Sequence, residues 1–406
     1  MLSTSVMIRN YINKLARNIV SHQLAKIHHG QLLITENKKV SVFGTRNRIR
    51  ADIKVLNPNF YAYILFGGSI GAAESYMRGD WRSKNLTDVI RLMAVNSAAM
   101  DSMEGSYKLL LQPLFKIIHY LNKNTVAGSK KNIVRHYDLS NDFFALFLDT
   151  SMMYSSAIYA NTKMNLEEAA INKIKIICEK LKLKKTDRLV EIGSGWGGFA
   201  IYAAQNYGCH VTTTTISEQQ FLYVKNKIKQ LKLSKKITLV KKDYRQLTGK
   251  YNKLVSIEMI EAVGHHFYAT YFSKIASLLT DDGDALIQAI TIRDQRYKAA
   301  LKSVDFIQKY IFPGSTIPSV TSMQESLTRA TDMTIFDIQD IGSDYARTLN
   351  AWKIKFVANK ARIKELGFDA EFMRMWFFYF CYCEGGFKEK VISDIHLHLT
   401  KPLYRN

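Results

Sequence analysis

The glycine-rich segment at residues 193–198 has the composition of a ligand-binding loop. It follows an apolar stretch at residues 189–192, typical of a strand, and precedes an apolar helical pattern that begins at Phe199. Glycines allow the backbone to turn tightly at such a place and allow a ligand to approach without a clash against Cβ. Dinucleotide-binding enzymes, methyltransferases and purely structural turns all use loops of this kind, so the pattern alone leaves these three classes open.

The placement of the acidic residues argues against a dinucleotide. The dinucleotide fingerprint has an acid at the end of the second strand, where it binds a ribose hydroxyl. In this sequence the acid, Glu191, lies inside the first strand, and the second predicted strand ends in the letters TIS at residues 215–217. Hydroxyl groups together with Gln219 or Gln220 would therefore have to hold the ribose and amino-acid ends of a cofactor.

Three further polar residues could take part in chemistry. Glu258 and Glu261 follow a predicted strand, and Gln288 lies inside an apolar strand, where a buried amide must find a partner. An isolated pair of glutamates three residues apart more often marks a solvated helix start. Gln288 suits a structural hydrogen bond as well as it suits a ligand contact, and Glu258 has no assigned role.

Helical and strand patterns alternate after residue 165, which predicts the fold class. This order is typical of a doubly wound, mostly parallel α/β sheet, the Rossmann-like architecture that class I methyltransferases share with dinucleotide-binding enzymes. Residues 391–400 alternate apolar and polar side chains and are expected to close the sheet as an antiparallel edge strand. The predicted strands are at residues 189–192, 210–215, 237–240, 254–257 and 285–292, and the predicted helices at residues 166–183 and 221–231.

The 406 residues exceed the length of one typical domain. Residues 1–121 are predicted to form a smaller mixed domain, in which residues 60–73 are expected to give a strand, a turn and a helix start. Residues 122–135 are polar and basic, as in a linker. Residues 136–406 are then expected to form the catalytic domain.

The charge balance predicts an anionic partner. The net charge is +22, which suits nucleic acid, an anionic membrane surface or an acidic substrate. No run of 18 apolar residues appears, so no membrane-spanning helix is expected. The four cysteines form neither a CxxC pair nor a Cys/His zinc pattern, which favours a reducing, cytosolic compartment and predicts no metal site.

An ordered set of motifs resembles the cyclopropane-fatty-acyl-phospholipid synthases and the related mycolic-acid cyclopropane synthases. Each motif alone is common, whereas the set in this order is specific and covers most of the chain. The matching segments are Ser75-Tyr76-Met77 with Gly79 and Trp81, residues 136–142 (HYDLSND), 154–157 (YSSA), 191–198 (EIGSGWGG), 215–220 (TISEQQ), 258–264 (EMIEAVG), 310–314 (YIFPG), 344–352 (DYARTLNAW) and 383–387 (CEGGF).

The resemblance implies a methyltransferase that uses S-adenosylmethionine as its cofactor. Its reaction is methyl transfer to the double bond of an unsaturated phospholipid acyl chain, through a carbocation that loses a proton and closes to a cyclopropane ring. The cofactor residues that the resemblance implies are Tyr137, Tyr154, Ser155, Gly193, Gly195, Gly197, Thr215, Ile216, Ser217, Gln220 and Tyr244.

In this family the base is a bound bicarbonate ion, so the resemblance also implies a bicarbonate site. Serine and glutamine stand at residues 156 and 288, where the family usually has cysteine and histidine, and both can still donate a hydrogen bond to an oxyanion. Cys383 is at the family's catalytic-cysteine position, although free cysteines are commonly buried in cores. The implied bicarbonate holders are Ser156, Glu261, Gln288, the backbone of Ile290, and Tyr345.

The resemblance also implies that the protein binds a membrane to reach its substrate. The N-terminal domain is expected to dock on lipid and to support a homodimer, and the basic surface is expected to bind the anionic inner face of a membrane from the cytoplasm. No nucleic-acid partner is expected, because the sequence contains no RNA-binding module or zinc knuckle.

Four alternatives remain open from the sequence. The replacements at residues 156 and 288 are compatible with a methyl- or methylene-branched product instead of a ring. They also keep open a lipid-binding protein without catalytic activity on a methyltransferase fold. The basic charge keeps open an RNA methyltransferase, and the glycine loop keeps open a methyltransferase of small molecules.

Overall fold

The computed structural model describes residues 4–97 and 139–405, with the backbone alone at residues 4–9. These residues form two compact units. The first contains the described residues up to Leu139 together with Asp305–Ile311 and Phe356–Glu389. The second contains Ser140–Val304, Phe312–Lys355 and the chain from Lys390 onward. Both units are thus discontinuous, and the expected boundaries at residues 121 and 136 lie outside the described residues.

Helices and small strands alternate in the N-terminal part of the chain. Its strands form a sheet in the order β2-β1-β3-β4, in which β1 and β3 are parallel and the other neighbours antiparallel. The elements are α1 (Thr4–Leu24), β1 (Gln31–Glu36), β2 (Lys39–Gly44), β3 (Arg50–Val55), α2 (Asn59–Arg78), β4 (Trp81–Arg82) and α3 (Leu86–Val95).

The elements from Ser140 to Val304 follow the predicted alternation of strands and helices. Short 3₁₀ turns at Tyr244–Gln246, Ile260–Ala262 and His265–Phe267 lie between them. The elements are α4 (Asn141–Ala145), α5 (Leu166–Lys180), β5 (Arg188–Ile192), α6 (Gly198–Asn206), β6 (His210–Thr215), α7 (Glu218–Gln230), β7 (Ile237–Lys241), β8 (Tyr251–Ile257), α8 (Tyr268–Leu278), β9 (Leu279–Ile292) and α9 (Asp294–Ala300).

The C-terminal part of the chain is mainly helical and contributes two more strands. The elements are α10 (Phe306–Tyr310), α11 (Val320–Ala330), β10 (Thr334–Asp340), α12 (Gly342–Ala358), α13 (Lys360–Glu365), α14 (Ala370–Lys388) and β11 (Ile392–Thr400).

The prediction for residues 60–73 is wrong, because they belong to the helix α2. The helix is interrupted at Gly68, whose φ of 54° and ψ of −134° are not helical. The interruption brings the backbone of Gly71 so close to the carbonyl oxygen of Tyr63 that a Cβ would lie only 1.9 Å from it. Gly68 therefore permits the kink in the helix, and Gly71 permits the close approach to the carbonyl oxygen of Tyr63. A short apolar run does not distinguish this arrangement from a strand and a turn.

The second unit is built on the predicted doubly wound sheet. Its seven strands have the order β10-β11-β9-β8-β5-β6-β7, and the strands from β9 to β7 are parallel to one another. The antiparallel direction predicted for residues 391–400 is confirmed, but their edge position is wrong. The edge strand is β10, most of whose side chains are exposed, including those of Phe336 and Ile338.

Two apolar layers cover the faces of this sheet. Along β8, Leu254 packs into a layer with Phe272 of α8, whereas the next residue, Val255, packs into a layer with Ile174 of α5. Consecutive strand residues point to opposite faces, so each parallel strand must be apolar at nearly every position. This packing aligns the carboxyl ends of β5, β6 and β8 at one edge. The chain goes first to one side of β5 and later to the other, which makes this edge a topological switch point.

No helix in the two described stretches of the chain is long and apolar enough to cross a membrane.

A buried ion pair joins the middle of the sheet. The carboxylate of Asp284 on β9 is fully buried; it accepts a hydrogen bond from Lys253 Nζ on β8 at 2.8 Å and lies 2.8 Å from His398 Nε2 on β11. A buried carboxylate without partners would be costly, so these three strands have to meet in this register.

Asp284→Ala should therefore destabilise the second unit. The change leaves Lys253 and His398 without their shared partner, and the expected loss is about 3 kcal/mol of unfolding free energy. Urea denaturation followed by tryptophan fluorescence measures this loss. Asp282→Ala removes an exposed carboxylate from the same strand and is the matched control. Equal midpoints for the two variants would contradict the structural role of the pair.

Candidate active site

Three glycines shape the loop between β5 and α6. Gly193, Gly195 and Gly197 have φ angles of 92°, 49° and 85°, in the region that favours glycine. A Cβ at Gly193 or Gly197 would meet side chains of the protein, at 3.4 and 3.1 Å, whereas a Cβ at Gly195 would meet nothing within 4 Å. The loop thus leaves open space beside Gly195, at the carboxyl edge of β5, where a ligand can approach the backbone.

The loop after β6 is held by its own polar side chains. The hydroxyl of Thr215 donates to Gln220 Oε1 at 2.8 Å and accepts from the N–H of Ser217 at 3.1 Å. The hydroxyl of Ser217 in turn caps α7 by accepting from the N–H of Gln220. Ile216 is left 75% exposed. The predicted cofactor residues of this loop therefore form one preorganised turn, with an apolar side chain presented outward.

The other predicted cofactor residues lie around the same edge. Tyr154 packs its ring on Trp352 and Phe144, and the hydroxyl of Ser155 accepts from Lys173 Nζ at 2.7 Å. Tyr244 begins the 3₁₀ turn after β7 and is half-buried. Tyr137 lies outside the described residues.

Glu258, which had no assigned role, is the centre of the polar network beyond β8. Its Oε1 accepts from the backbone N–H of Ser156 and from Nε2 of Gln288, both at 2.8 Å. Its Oε2 accepts from the hydroxyl of Tyr345 at 2.7 Å. The three donors come from the loop before α5, from β9 and from α12. The side chain itself is half-buried.

The sheet register brings two more acids to this network. Gln288 lies opposite Ile257 of β8, and Asp394 of β11 lies opposite Ile290 of β9. The amide of Gln288 also donates to Asp394 Oδ2 at 2.8 Å. The N–H of Ile290 donates to Glu261 Oε1 at 2.6 Å. The structure therefore brings all five predicted bicarbonate holders together. The backbone N–H groups of Ser156 and Ile290 donate to carboxyl groups, as do the side chains of Gln288 and Tyr345. The hydroxyl of Ser156 donates instead to the carbonyl oxygen of Ala157 at 3.0 Å.

Several acceptor atoms of the network have no partner within the described parts of the chain. They are Oε2 of Glu261, Oε1 of Gln288 and Oδ1 of Asp394. His396, opposite Gln288 on β11, is also buried without a hydrogen bond from either ring nitrogen. Burial lowers the pKa of His396 to about 3, so this ring is neutral. Such unpaired atoms are costly in a structural core and are typical of a site that binds a further group.

The backbone at Glu258 is strained. Its φ is 47°, and its N–H donates to the carbonyl oxygen of Gln288 at 2.9 Å, which fixes the turn after β8. Glutamate rarely adopts this conformation, and strained residues gather at functional sites.

Burial sets the protonation of the acids. It raises the pKa of Glu191 and of Glu261 to about 8, with the nearby Glu258 carboxylate adding to the effect on Glu261. Burial also raises the pKa of Glu258 and of Asp394. The ammonium of Lys173 lowers the pKa of Glu191, Glu258 and Asp394 and so partly offsets the effect of burial. Burial lowers the pKa of Lys173 itself to about 8. With a pKa of about 8, Glu191 and Glu261 are largely protonated and uncharged near neutral pH.

Cys383 belongs to the first unit, on α14. Burial raises the pKa of its thiol well above the usual range, and Asp305 adds to this. A thiol in this state is a weak nucleophile. The catalytic role that the resemblance implies for Cys383 remains a prediction.

The comparison with known proteins agrees with this geometry. Residues 125–397 match the family described as mycolic acid cyclopropane synthetase. The chain is 34% identical over 345 residues to the cyclopropane-fatty-acyl-phospholipid synthase of Escherichia coli, covering 84% of this chain and 86% of that protein. It is 34% identical over 328 residues to the tuberculostearic acid methyltransferase of Mycobacterium tuberculosis, covering 79% and 76%.

Solved structures show the same fold. A cyclopropane synthase of Mycobacterium tuberculosis superposes with a TM-score of 0.61 at 28% identity, over 67% of this chain and 98% of that one. A mycolic acid cyclopropane synthase complexed with SAH and CTAB superposes with a TM-score of 0.62 at 29% identity, over 67% and 98%.

The seven-stranded sheet and its glycine loop thus define a class I methyltransferase that depends on S-adenosylmethionine. The site fits this cofactor, because open space adjoins Gly195 and the preorganised turn after β6 lies at the same edge of the sheet. The chain belongs to the mycolic acid cyclopropane synthetase family.

Gly195→Ala should weaken cofactor binding while leaving the protein folded. The new methyl group points into the space that the ligand needs, and the expected loss is about tenfold in affinity, or ~1.4 kcal/mol. Isothermal titration with S-adenosylhomocysteine measures it. Gly367→Ala is the matched control, because that glycine also has a positive φ and open space but lies before α14. Equal affinity in both variants would contradict the assignment of the loop.

Glu261→Gln should change how stability depends on pH. The carboxyl has a pKa of about 8 in the folded protein against 4.5 ordinarily, so between these values the folded state keeps a proton that the unfolded state has lost. Its contribution to stability is present at low pH and is lost as the pH rises toward 8. The glutamine variant lacks this loss. The unfolding free energy of the variant should therefore rise relative to that of wild type by roughly 1 kcal/mol per pH unit between pH 5.5 and 7.5.

Urea denaturation across this pH range, without cofactor, measures the difference. Glu325→Gln, at an exposed position on α11, is the control and should follow wild type at every pH. Parallel curves for wild type and Glu261→Gln would show that this carboxyl is not held in its protonated form.

Proposed function

We propose that the protein transfers the methyl group of S-adenosylmethionine to the double bond of an unsaturated phospholipid acyl chain and that the product is a cyclopropane fatty acid. The observation that carries the proposal is the half-buried carboxylate of Glu258 in a network of acids at the switch point of the sheet, next to the glycine loop. The Escherichia coli relative, a cyclopropane-fatty-acyl-phospholipid synthase, supports it.

The cofactor supplies an electrophilic methyl group on a sulfonium. An alkene is a weak nucleophile in water, so the protein must hold it in line and keep water away. Methyl transfer leaves a positive charge on the acyl chain. The ring of Tyr154 suits such a charge, because an aromatic face attracts a cation, and the carboxylate of Glu258 suits it electrostatically.

The next step is removal of a proton, and bicarbonate does not fit the residues expected to hold it. The side-chain amide of Gln288 already donates to two carboxyl groups, and Tyr345 donates to Glu258. The unpaired Oε1 of Gln288 is an acceptor, which repels an anion. No step of the proposed reaction therefore passes through bicarbonate.

A branched product is the second candidate. The tuberculostearic acid methyltransferase of Mycobacterium tuberculosis is as similar in identity as the Escherichia coli relative. The same carbocation gives a ring when the new methyl group loses a proton and the last C–C bond closes. It gives a methyl branch beside a double bond when the acyl chain loses the proton, and a methylene branch when a hydride shift to the cationic carbon precedes loss of a proton from the methyl group. The placement of the base relative to the cationic carbon therefore decides among these products.

We also propose that the substrate is reached by peripheral docking on an anionic membrane surface from the cytoplasm. The net charge is +22, and α7 presents exposed lysines at residues 225, 227 and 229. Each basic residue near such a surface contributes about 1 kcal/mol, so a few of them suffice for reversible binding. The proposal includes no nucleic-acid partner. It includes a homodimer, because the resemblance to the family implies one.

Incubation with S-adenosylmethionine and vesicles of monounsaturated phosphatidylglycerol and phosphatidylethanolamine tests the reaction. We expect mass spectrometry to find one added CH2 per modified acyl chain, and chain-cleavage analysis to find a ring. Gly195→Ala should slow the reaction at low cofactor concentration, and saturated vesicles should gain no mass.

Absence of added mass in unsaturated lipid, with cofactor bound, would overturn the proposed activity. It would favour a lipid-binding protein without catalytic activity, or another substrate. Methylation of RNA in place of lipid would overturn the substrate class.

A further inference from the structure

The carboxylate of Glu258 stands where hydrogen-bond donors from three parts of the fold converge. It accepts from the N–H of Ser156, from Nε2 of Gln288 and from the hydroxyl of Tyr345. These three residues are among the five expected to hold bicarbonate. A carboxylate and a bicarbonate ion present the same planar pair of oxygens to such donors, so one group excludes the other from this place.

The backbone supports a dedicated role for this side chain. Residue 258 has a φ of 47°, a conformation that glycine adopts freely and glutamate adopts at a cost of about 1 kcal/mol or more. Three hydrogen bonds to its side chain and one from its own N–H to Gln288 offset that cost. A glutamate at a position better suited to glycine indicates that the carboxylate itself is needed.

We propose that Glu258 is a built-in base that takes the place of bicarbonate, so that the reaction of this protein needs no bicarbonate. The inference rests on the proposed function for its chemistry, while the exclusion of bicarbonate rests on geometry alone. Part of the Glu258 side chain remains accessible, which allows a substrate to reach it.

The proton transfer balances without any other reagent. A C–H bond of the transferred methyl group breaks, and its electron pair forms the last C–C bond of the ring at the cationic carbon. The proton passes to the carboxylate of Glu258, which becomes a neutral carboxyl group and later loses the proton to solvent. Burial raises the pKa of Glu258, which makes its carboxylate a stronger base than that of an exposed glutamate.

The first test measures binding and needs no activity. ¹³C-labelled bicarbonate is titrated into the full-length wild-type protein and into Glu258→Gly, and binding is followed by carbon NMR. Glycine suits the positive φ and removes the carboxylate. We expect no saturable binding to wild type and saturable binding to the variant. Saturable binding to wild type would overturn the proposal, as would its absence in a variant that still binds S-adenosylhomocysteine.

The second test measures lipid modification in buffer freed of carbon dioxide, with and without added bicarbonate. Wild type should be equally active in both. Glu258→Gly should lose about a hundredfold in rate and recover at least about tenfold with bicarbonate. Glu258→Gln is the matched variant: it keeps the size and one acceptor oxygen but cannot take the proton, so it should be slow in both buffers.

A wild-type protein that works only with added bicarbonate would overturn the proposal, and so would a fully active Glu258→Gln variant. Failure of the proposed function is a separate result. In that case no variant modifies lipid in either buffer, and the binding test alone decides whether Glu258 excludes bicarbonate.

Discussion

The active site depends on the three hydrogen bonds that converge on the carboxylate of Glu258. They connect the loop before α5, the strand β9 and the helix α12, three segments far apart in the sequence. Because an ionised carboxylate requires such donors when it is removed from water, its presence fixes where the three segments meet. Asp394, through the amide of Gln288, extends the same constraint to β11. The geometry of the reaction site is thus a consequence of one charge that has to be satisfied.

This network also explains why the site combines strain with unpaired atoms. The sheet is covered by two well-packed apolar layers, and its central ion pair at Asp284 is satisfied by Lys253 and His398. Beyond the carboxyl ends of β8 and β9, buried acceptors at Glu261 and Gln288 have no partner among the residues that the structure describes. The well-packed sheet therefore stabilises the unit, and the region beyond the carboxyl ends of β8 and β9 is arranged to bind a ligand.

Much of the fold follows from local patterns in the sequence. The strand at residues 189–192, the helix at residues 166–183 and the glycine loop were predictable because apolar periodicity and glycine spacing are local properties. The edge position of β10 was not, since it depends on pairing with β11, a segment far along the sequence. The helix α2 was missed because its glycines serve a kink, which looks like a turn in the sequence.

The residues of the site likewise divide into those that the sequence located and those that only the folded structure shows. The family resemblance located Ser156, Glu261, Gln288, Ile290 and Tyr345, and the structure brings them together. Glu258 lies inside the motif at residues 258–264, but the sequence assigned it no role. Lys173 and Asp394 carried no signal of their own, because a lysine in a helix and an aspartate in the last strand are ordinary. Their importance comes from the register of β9 with β11 and from the positive φ at residue 258, which only the folded chain determines.

The central claim is that a base in this site removes a proton from the methyl group that has just been transferred. S-adenosylmethionine with a fully deuterated methyl group tests it directly, with product lipids analysed by mass spectrometry. The account predicts that each modified acyl chain carries CD2, because one deuterium has been lost to the base as the ring closes. Acyl chains that keep CD3, or that gain no deuterium at all, would contradict it.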